Sequence, residues 1–202
     1  MRVSLLAILA LAAVTAGCPS VEDPDDINPN EVITAVNLTF TPTAGAAVTA
    51  SWSDPEGDGD PVIDSFTLAN GTAYALTVEF LNELADPVED ITEEIQDEQD
   101  EHQILIYGSG VSGPAAGANA NARVEHEYGD VDSNNLPIGL ESTITGISAG
   151  TGDFKLMLRH MPPGSDGTPV KSATIAEDFA TGGSAGIGGS VDIDITFPLQ
   201  VQ

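Results

Sequence analysis

The sequence predicts an all-β fold, a single antiparallel β-sandwich or small barrel of about eight strands with one short peripheral helix. Three observations predict it. Apolar residues recur with a period of two, turn-forming Gly, Pro, Asn and Asp separate the alternating stretches, and one segment alone has helical spacing.

The alternation starts after Glu31. Val32, Thr34, Val36, Leu38 and Phe40 fall on one face, with Asn37 and Thr39 opposite. Val48, Ala50 and Trp52 alternate with Thr49, Ser51 and Ser53, and Tyr74, Leu76, Val78 and Phe80 repeat the pattern. Near the C-terminus Val191, Ile193, Ile195 and Phe197 oppose Asp192, Asp194 and Thr196. A side chain that switches face at each residue gives this period to a half-buried strand. Further strands are expected near 65–69, 102–107, 122–128, 138–147 and 153–160.

The helix is expected to open at Asp86, with Pro87 in its first turn and Glu89 three residues after the cap. Val88, Ile91 and Ile95 form a narrow apolar stripe, which places the helix on the outside of the sheet. Its end is unusual. Asp97, Glu98, Asp100 and Glu101 crowd the negative pole of the helix dipole, so this end either frays or is neutralised. Gly108 to Ala122 and Thr181 to Ser190 are rich in Gly, Ala and Ser, and are expected to be mobile.

Residues 1–17 have the layout of a secretory signal: Arg2, an apolar run from Leu5 to Val14, then small residues before Cys18. The run is too short to remain as a transmembrane helix, and no other apolar run reaches that length. Ala16-Gly17-Cys18 resembles the bacterial lipobox, with Thr15 where that pattern usually has Leu. The resemblance implies acylation of Cys18 and cleavage before it, hence a protein anchored to a membrane by lipid. Residues 18–30 are polar and broken by proline, and read as a tether; residues 31–202 form the folded domain. Glu22, Asp23, Asp25 and Asp26 resemble the acidic export signal of Bacteroidota-type surface lipoproteins, though the whole chain is acidic.

The formal net charge of -27 argues against nucleic acid or an anionic lipid surface as a partner, and allows cationic partners or metal ions. Adaptation to a salty environment accounts for most of it, since salt screens self-repulsion. Cys18 is the only cysteine, which excludes internal disulfides, cysteine zinc sites and thiol catalysis.

Two patterns suggest metal ligands. Asp130, Asp132, Asn134 and Glu141 stand at positions one, three, five and twelve of an EF-type calcium loop, with Asn135 replacing the usual glycine at six. The flanks read as strands, so an Asp/Asn-rich turn is the competing explanation. The acidic stretch Asp54 to Asp60 reads as a Gly-rich turn by the same logic. The second pattern is the three histidines, His102, His126 and His160. Together, and with Glu98 or Glu101, they would suit zinc or copper, and Met157 and Met161 beside His160 add a copper(I) element. Each histidine on an apolar strand face also fits a hydrogen-bonded core residue. No nucleophile elbow, zincin motif, phosphate loop or dinucleotide fingerprint is present, so the expectation is a protein that is not an enzyme.

Pro87 to Ile95 followed by Glu101-His102-Gln103, together with Asp132 to Gly139, resembles a group of small Bacteroidota-type lipoproteins labelled "type 1 periplasmic binding fold superfamily". The similarity runs from about Glu31 to the C-terminus. The resemblance implies association with TonB-dependent outer-membrane receptors, as an accessory in nutrient or metal uptake. The label denotes a two-lobed α/β structure, whereas the pattern here has one helix, and the all-β expectation is kept. The expected function is therefore a lipid-anchored binding accessory, with a calcium-stabilised structural or adhesive module as the alternative.

Overall fold

A computed structural model describes residues 31–168 and 170–202. The signal, Cys18 and the tether lie outside the described residues. In chain order the elements are β1 (Ala35–Pro42), β2 (Val48–Ser53), β3 (Val62–Ile63), β4 (Phe66–Leu68), β5 (Ala73–Asn82), β6 (Glu89–Asp90) and α1 (Ile91–Asp97). They continue with β7 (His102–Tyr107), β8 (Val111–Ser112), β9 (Val124–Tyr128), β10 (Glu141–Gly146), β11 (Gly150–His160), α2 (Ile175–Gly182), a 3-10 turn (Gly183–Gly186) and β12 (Ser190–Val201).

The chain is mostly β, in two sheets. The larger is curled and runs β3-β2-β1-β5-β10-β9-β8, with β6 attached to β5; the smaller runs β4-β12-β11-β7. The architecture departs from a plain eight-stranded antiparallel arrangement. Several strands have only two or three residues, and β4–β12 and β8–β9 pair in parallel.

The two sheets enclose a common core, as the alternation requires. Val36, Leu38 and Phe40 of β1 and Leu76, Val78 and Phe80 of β5 meet Phe154, Leu156 and Leu158 of β11 and Ile195 and Phe197 of β12. Phe66 stacks on Phe40 at 4.7 Å between ring centroids and meets Phe154 edge-on at 5.5 Å, an arrangement aromatic quadrupoles favour.

The smaller sheet is buried on its other face too. There Leu105 and Met157 pack with Met161 under Ile175, Ala176 and Phe179 of α2. This second helix has no counterpart in the sequence expectation, and it explains why His102 to Ile106 are all buried instead of alternating.

Helix α1 begins later than expected. Glu89 and Asp90 pair with the end of β5, opposite Asn82 and Leu81, which withdraws them from any helix. Asp90 is the cap, its Oδ1 accepting from the Thr92 amide at 3.0 Å, and Val88 stays exposed. Ile91 and Ile95 enter the core, while the Thr92 hydroxyl bonds both backbone groups of Phe80.

Neither segment expected to be mobile lacks anchors. Asn119 Nδ2 donates to the Ser109 and Val111 carbonyls, gathering the 108–122 loop. Arg159 is buried, and its guanidinium donates to the carbonyls of Ser184, Ile187, Gly188 and Gly189 and to Ser184 Oγ, gathering the 183–189 loop. Among the described residues no helix is long and apolar enough to cross a membrane.

Candidate metal centre

Two side chains meet the carbonyls at the acidic end of α1. Lys171 Nζ donates to the Gln99 carbonyl at 2.8 Å, placing a cation at the negative pole of the dipole. His102 Nδ1 lies 3.2 Å from the Glu98 carbonyl oxygen. Glu98 is the C-cap residue of α1, and the chain turns there directly into β7.

His102 opens β7 and His160 closes β11, and the two are direct cross-strand partners. Both point to the core side of the smaller sheet, in line with Ile104 and Leu158, at the end of the core where α1 sits. Their rings stack at 4.6 Å with planes 6° apart, and both residues are almost wholly buried. Glu98, His102 and His160 each offer a ligand atom, and these atoms lie within 4.8 Å of one another. Glu101 Oε2 stands 3.7 Å from His160 Nε2, on the more accessible side.

Asp192 stands beside this group, facing His102, although the sequence alternation assigns it to the opposite face. The β11–β12 register slips between Leu158 and Arg159, which face Ile193 and Val191, so Asp192 is an extra residue in a β-bulge. Val191 consequently packs towards α2 while Ile193 packs in the core. The Asp192 carboxylate turns inward, its Oδ2 3.9 Å from His102 Nε2, with its side chain fully buried. Gly189 feeds this turn: it has a φ of 80°, and a Cβ there would collide with the His160 carbonyl.

Burial lowers His102 to about 4, against the opposing bond from the Glu98 backbone, so its imidazole is neutral at pH 7. Burial raises Asp192 to about 6, against the charges of His160 and Arg159 and the pull of the Glu31 backbone amide. Burial, a hydrogen bond with Glu94 and the charges of Glu94, Glu98 and Asp192 raise Glu31 to about 7. Among the described residues, His102 Nε2, His160 Nε2 and both Asp192 oxygens have no hydrogen-bond partner. Such orphaned buried atoms are uncommon and cost about 1–3 kcal/mol each. Neutral imidazole beside crowded carboxylates is the donor set that a divalent transition ion takes.

His126 stands apart from this centre. It lies on β9 opposite Ile144, its Nε2 is 3.1 Å from Ser142 Oγ, and Tyr128 meets its ring edge-on. Burial lowers it to about 4. Met157 and Met161 are also elsewhere, in the cluster beneath α2. The expected convergence of three imidazoles is therefore replaced by two imidazoles and carboxylates.

The 130–141 segment is arranged as a turn whose carboxylates already have partners. Asp130 accepts from the amides of Gly139 and Glu141 at 2.7 and 3.0 Å. Asp132 Oδ1 accepts from the amides of Asn134 and Leu136, both at 2.8 Å, and its Oδ2 meets Lys171 Nζ at 2.8 Å. Lys171 thus takes the place that the spacing offered to calcium. Asn135 has a φ of 61°, the left-handed conformation its side chain tolerates. The Asp54 turn follows the same logic, accepting from the amides of Asp58 and Gly59.

No protein-family model, curated protein or solved structure matches the chain.

Proposed function

We propose that this chain is a lipid-anchored, non-enzymatic binding accessory of the bacterial outer membrane. In this reading residues 1–17 are a lipoprotein signal, Cys18 carries the lipid and residues 18–30 are an acidic tether. Residues 31–202 form a β-sandwich that holds a transition-metal ion at Glu98, His102 and His160 and presents it to a TonB-dependent receptor.

The observation that carries the metal reading is the buried imidazole pair beside Glu98, with both Nε2 atoms unpartnered among the described residues. Calorimetric titration of the purified protein with zinc and with copper tests it. Binding tighter than millimolar is expected, and H102A and H160A should each abolish it. Heat signals that match a buffer blank would remove the metal from the reading. Radiolabelled palmitate should attach to the wild type and not to C18A. The calcium-stabilised module has less support, because Lys171 and backbone amides occupy the carboxylates it needs.

A further inference from the structure

The bulge in β12 brings two groups face to face that repel unless something lies between them. His102 Nδ1 faces the Glu98 carbonyl at 3.2 Å, and a carbonyl can only accept, so Nδ1 carries the ring proton. His102 Nε2 then presents a lone pair to the Asp192 carboxylate 3.9 Å away, inside a fully buried pocket. A shared proton would draw nitrogen and oxygen to about 2.7–2.9 Å, well short of the observed gap. A zinc ion held about 2.0–2.1 Å from nitrogen and about 2.0–2.2 Å from oxygen sets those two ligand atoms about 3.3–3.5 Å apart at a tetrahedral angle. The observed 3.9 Å is too wide for a hydrogen bond and roughly half an ångström wider than that spacing, so an ion fits once the carboxylate closes on it.

We infer that Asp192 is the fourth ligand of a zinc ion bound with Glu98, His102 and His160, and that the β12 bulge exists in the fold to aim it. This rests on the metal reading above and names the ion and its ligand set. Two imidazoles and two carboxylates make a four-coordinate set of borderline softness, which suits zinc(II). Copper(I) prefers sulfur, and both Met157 and Met161 lie under α2 on the far side of the sheet. Calcium and magnesium require oxygen ligands alone. Two carboxylates also cancel the double charge, so the loaded centre is neutral where burial penalises any net charge.

Loading needs two adjustments: the Asp192 carboxylate, which is not among the ligand atoms already within 4.8 Å of one another, must close on them, and one imidazole must turn. The two imidazole planes are parallel, so their lone pairs run side by side, and one ring must rotate about χ2 to converge. The Glu101 side keeps some solvent access, with that side chain 30% exposed, and supplies a carboxylate on the way in.

The test uses the full lipidated chain in detergent, stripped of metal and titrated with zinc and, separately, with cobalt(II) as a spectroscopic probe. Three proteins are compared: the wild type, D192N and a deletion of Asp192. Wild type should bind one zinc per chain, and its cobalt form should show the intense visible bands of four-coordination. D192N should bind zinc at least a hundredfold more weakly and lose those bands, while keeping the wild-type far-ultraviolet spectrum. The Asp192 deletion should do the same. Zinc should raise the melting temperature of wild type alone. Wild-type binding with D192N unchanged in affinity and spectrum would overturn Asp192 as a ligand and leave the three-ligand reading standing. A wild type that binds neither metal would overturn both. If D192N does not fold, D192S is read in the same way.

Discussion

At the 130–141 turn the carboxylates of Asp130 and Asp132 meet donors from their own chain, whereas at the His102–His160 end four buried polar atoms meet none among the described residues. Both regions use acidic side chains brought together by short connections, and both lie against the end of α1. The difference is the cation. Lys171 reaches from the segment before α2 to bridge Asp132 and the Gln99 carbonyl. On the other side of the same helix end no lysine or arginine lies within ion-pair distance of Asp192 or Glu101 among the described residues, and Arg159, whose charge acts on Asp192 from further off, gives its donors to the 183–189 loop. A carboxylate at ligand spacing is thus weak grounds for an ion until its donors are counted.

The largest test of this contrast removes the internal cation. K171M should leave Asp132 buried and unpaired and destabilise the fold by about 3–5 kcal/mol, read from urea unfolding at pH 7. A loss under about 1 kcal/mol would mean that the turn is held by its amides alone.

Acid probes the histidine outside the centre. The His126 value is lowered in the folded state, so its contribution is complete above the unfolded value of 6.5 and is lost as pH falls towards about 4. For a ring this buried the loss reaches about 3 kcal/mol. H126Q should flatten that part of the stability profile between pH 6.5 and 4 without changing zinc affinity. A parallel loss of zinc binding would show that the two regions are not separate.

A smaller effect of opposite sign is expected from D192N in metal-free protein. Removing an unpaired buried carboxylate should stabilise by about 1 kcal/mol, a rise of a few degrees in melting temperature. The same substitution is damaging if the carboxylate has a structural partner. The smallest effect belongs to calcium: millimolar additions should move the melting temperature by no more than about a degree, because a site that is already filled gains nothing by mass action.

Much of the β architecture was legible because strands with one buried face write a period of two directly into the sequence. β1, β5 and β9 follow it closely, and Val124 and His126 share a buried face as the alternation requires. α2 was not legible. Its apolar residues Ile175, Ala176 and Phe179 span barely more than one turn, too few to establish a helical period. The start of α1 was misplaced because Glu89 and Asp90 pair with β5, a tertiary contact that local capping signals do not contain. Glu98, His102 and His160 were visible as residue types, and Glu98 with His102 as near neighbours in the chain. That His160 joins them, and His126 does not, depends on the pairing of β7 with β11.

Asp192 was hidden for a different reason. The series Val191, Ile193, Ile195, Phe197 looks unbroken, yet Val191 faces α2 and the other three face the core. The irregular residue disguises itself as a regular one. It follows that the core and the cover helix place no demand on this position: with Asp192 removed, Val191 and Ile193 would become adjacent and point to their present sides in a regular strand. Loss or gain of one codon there would therefore decide whether a descendant of this protein keeps the centre, while leaving the body that surrounds it in shape.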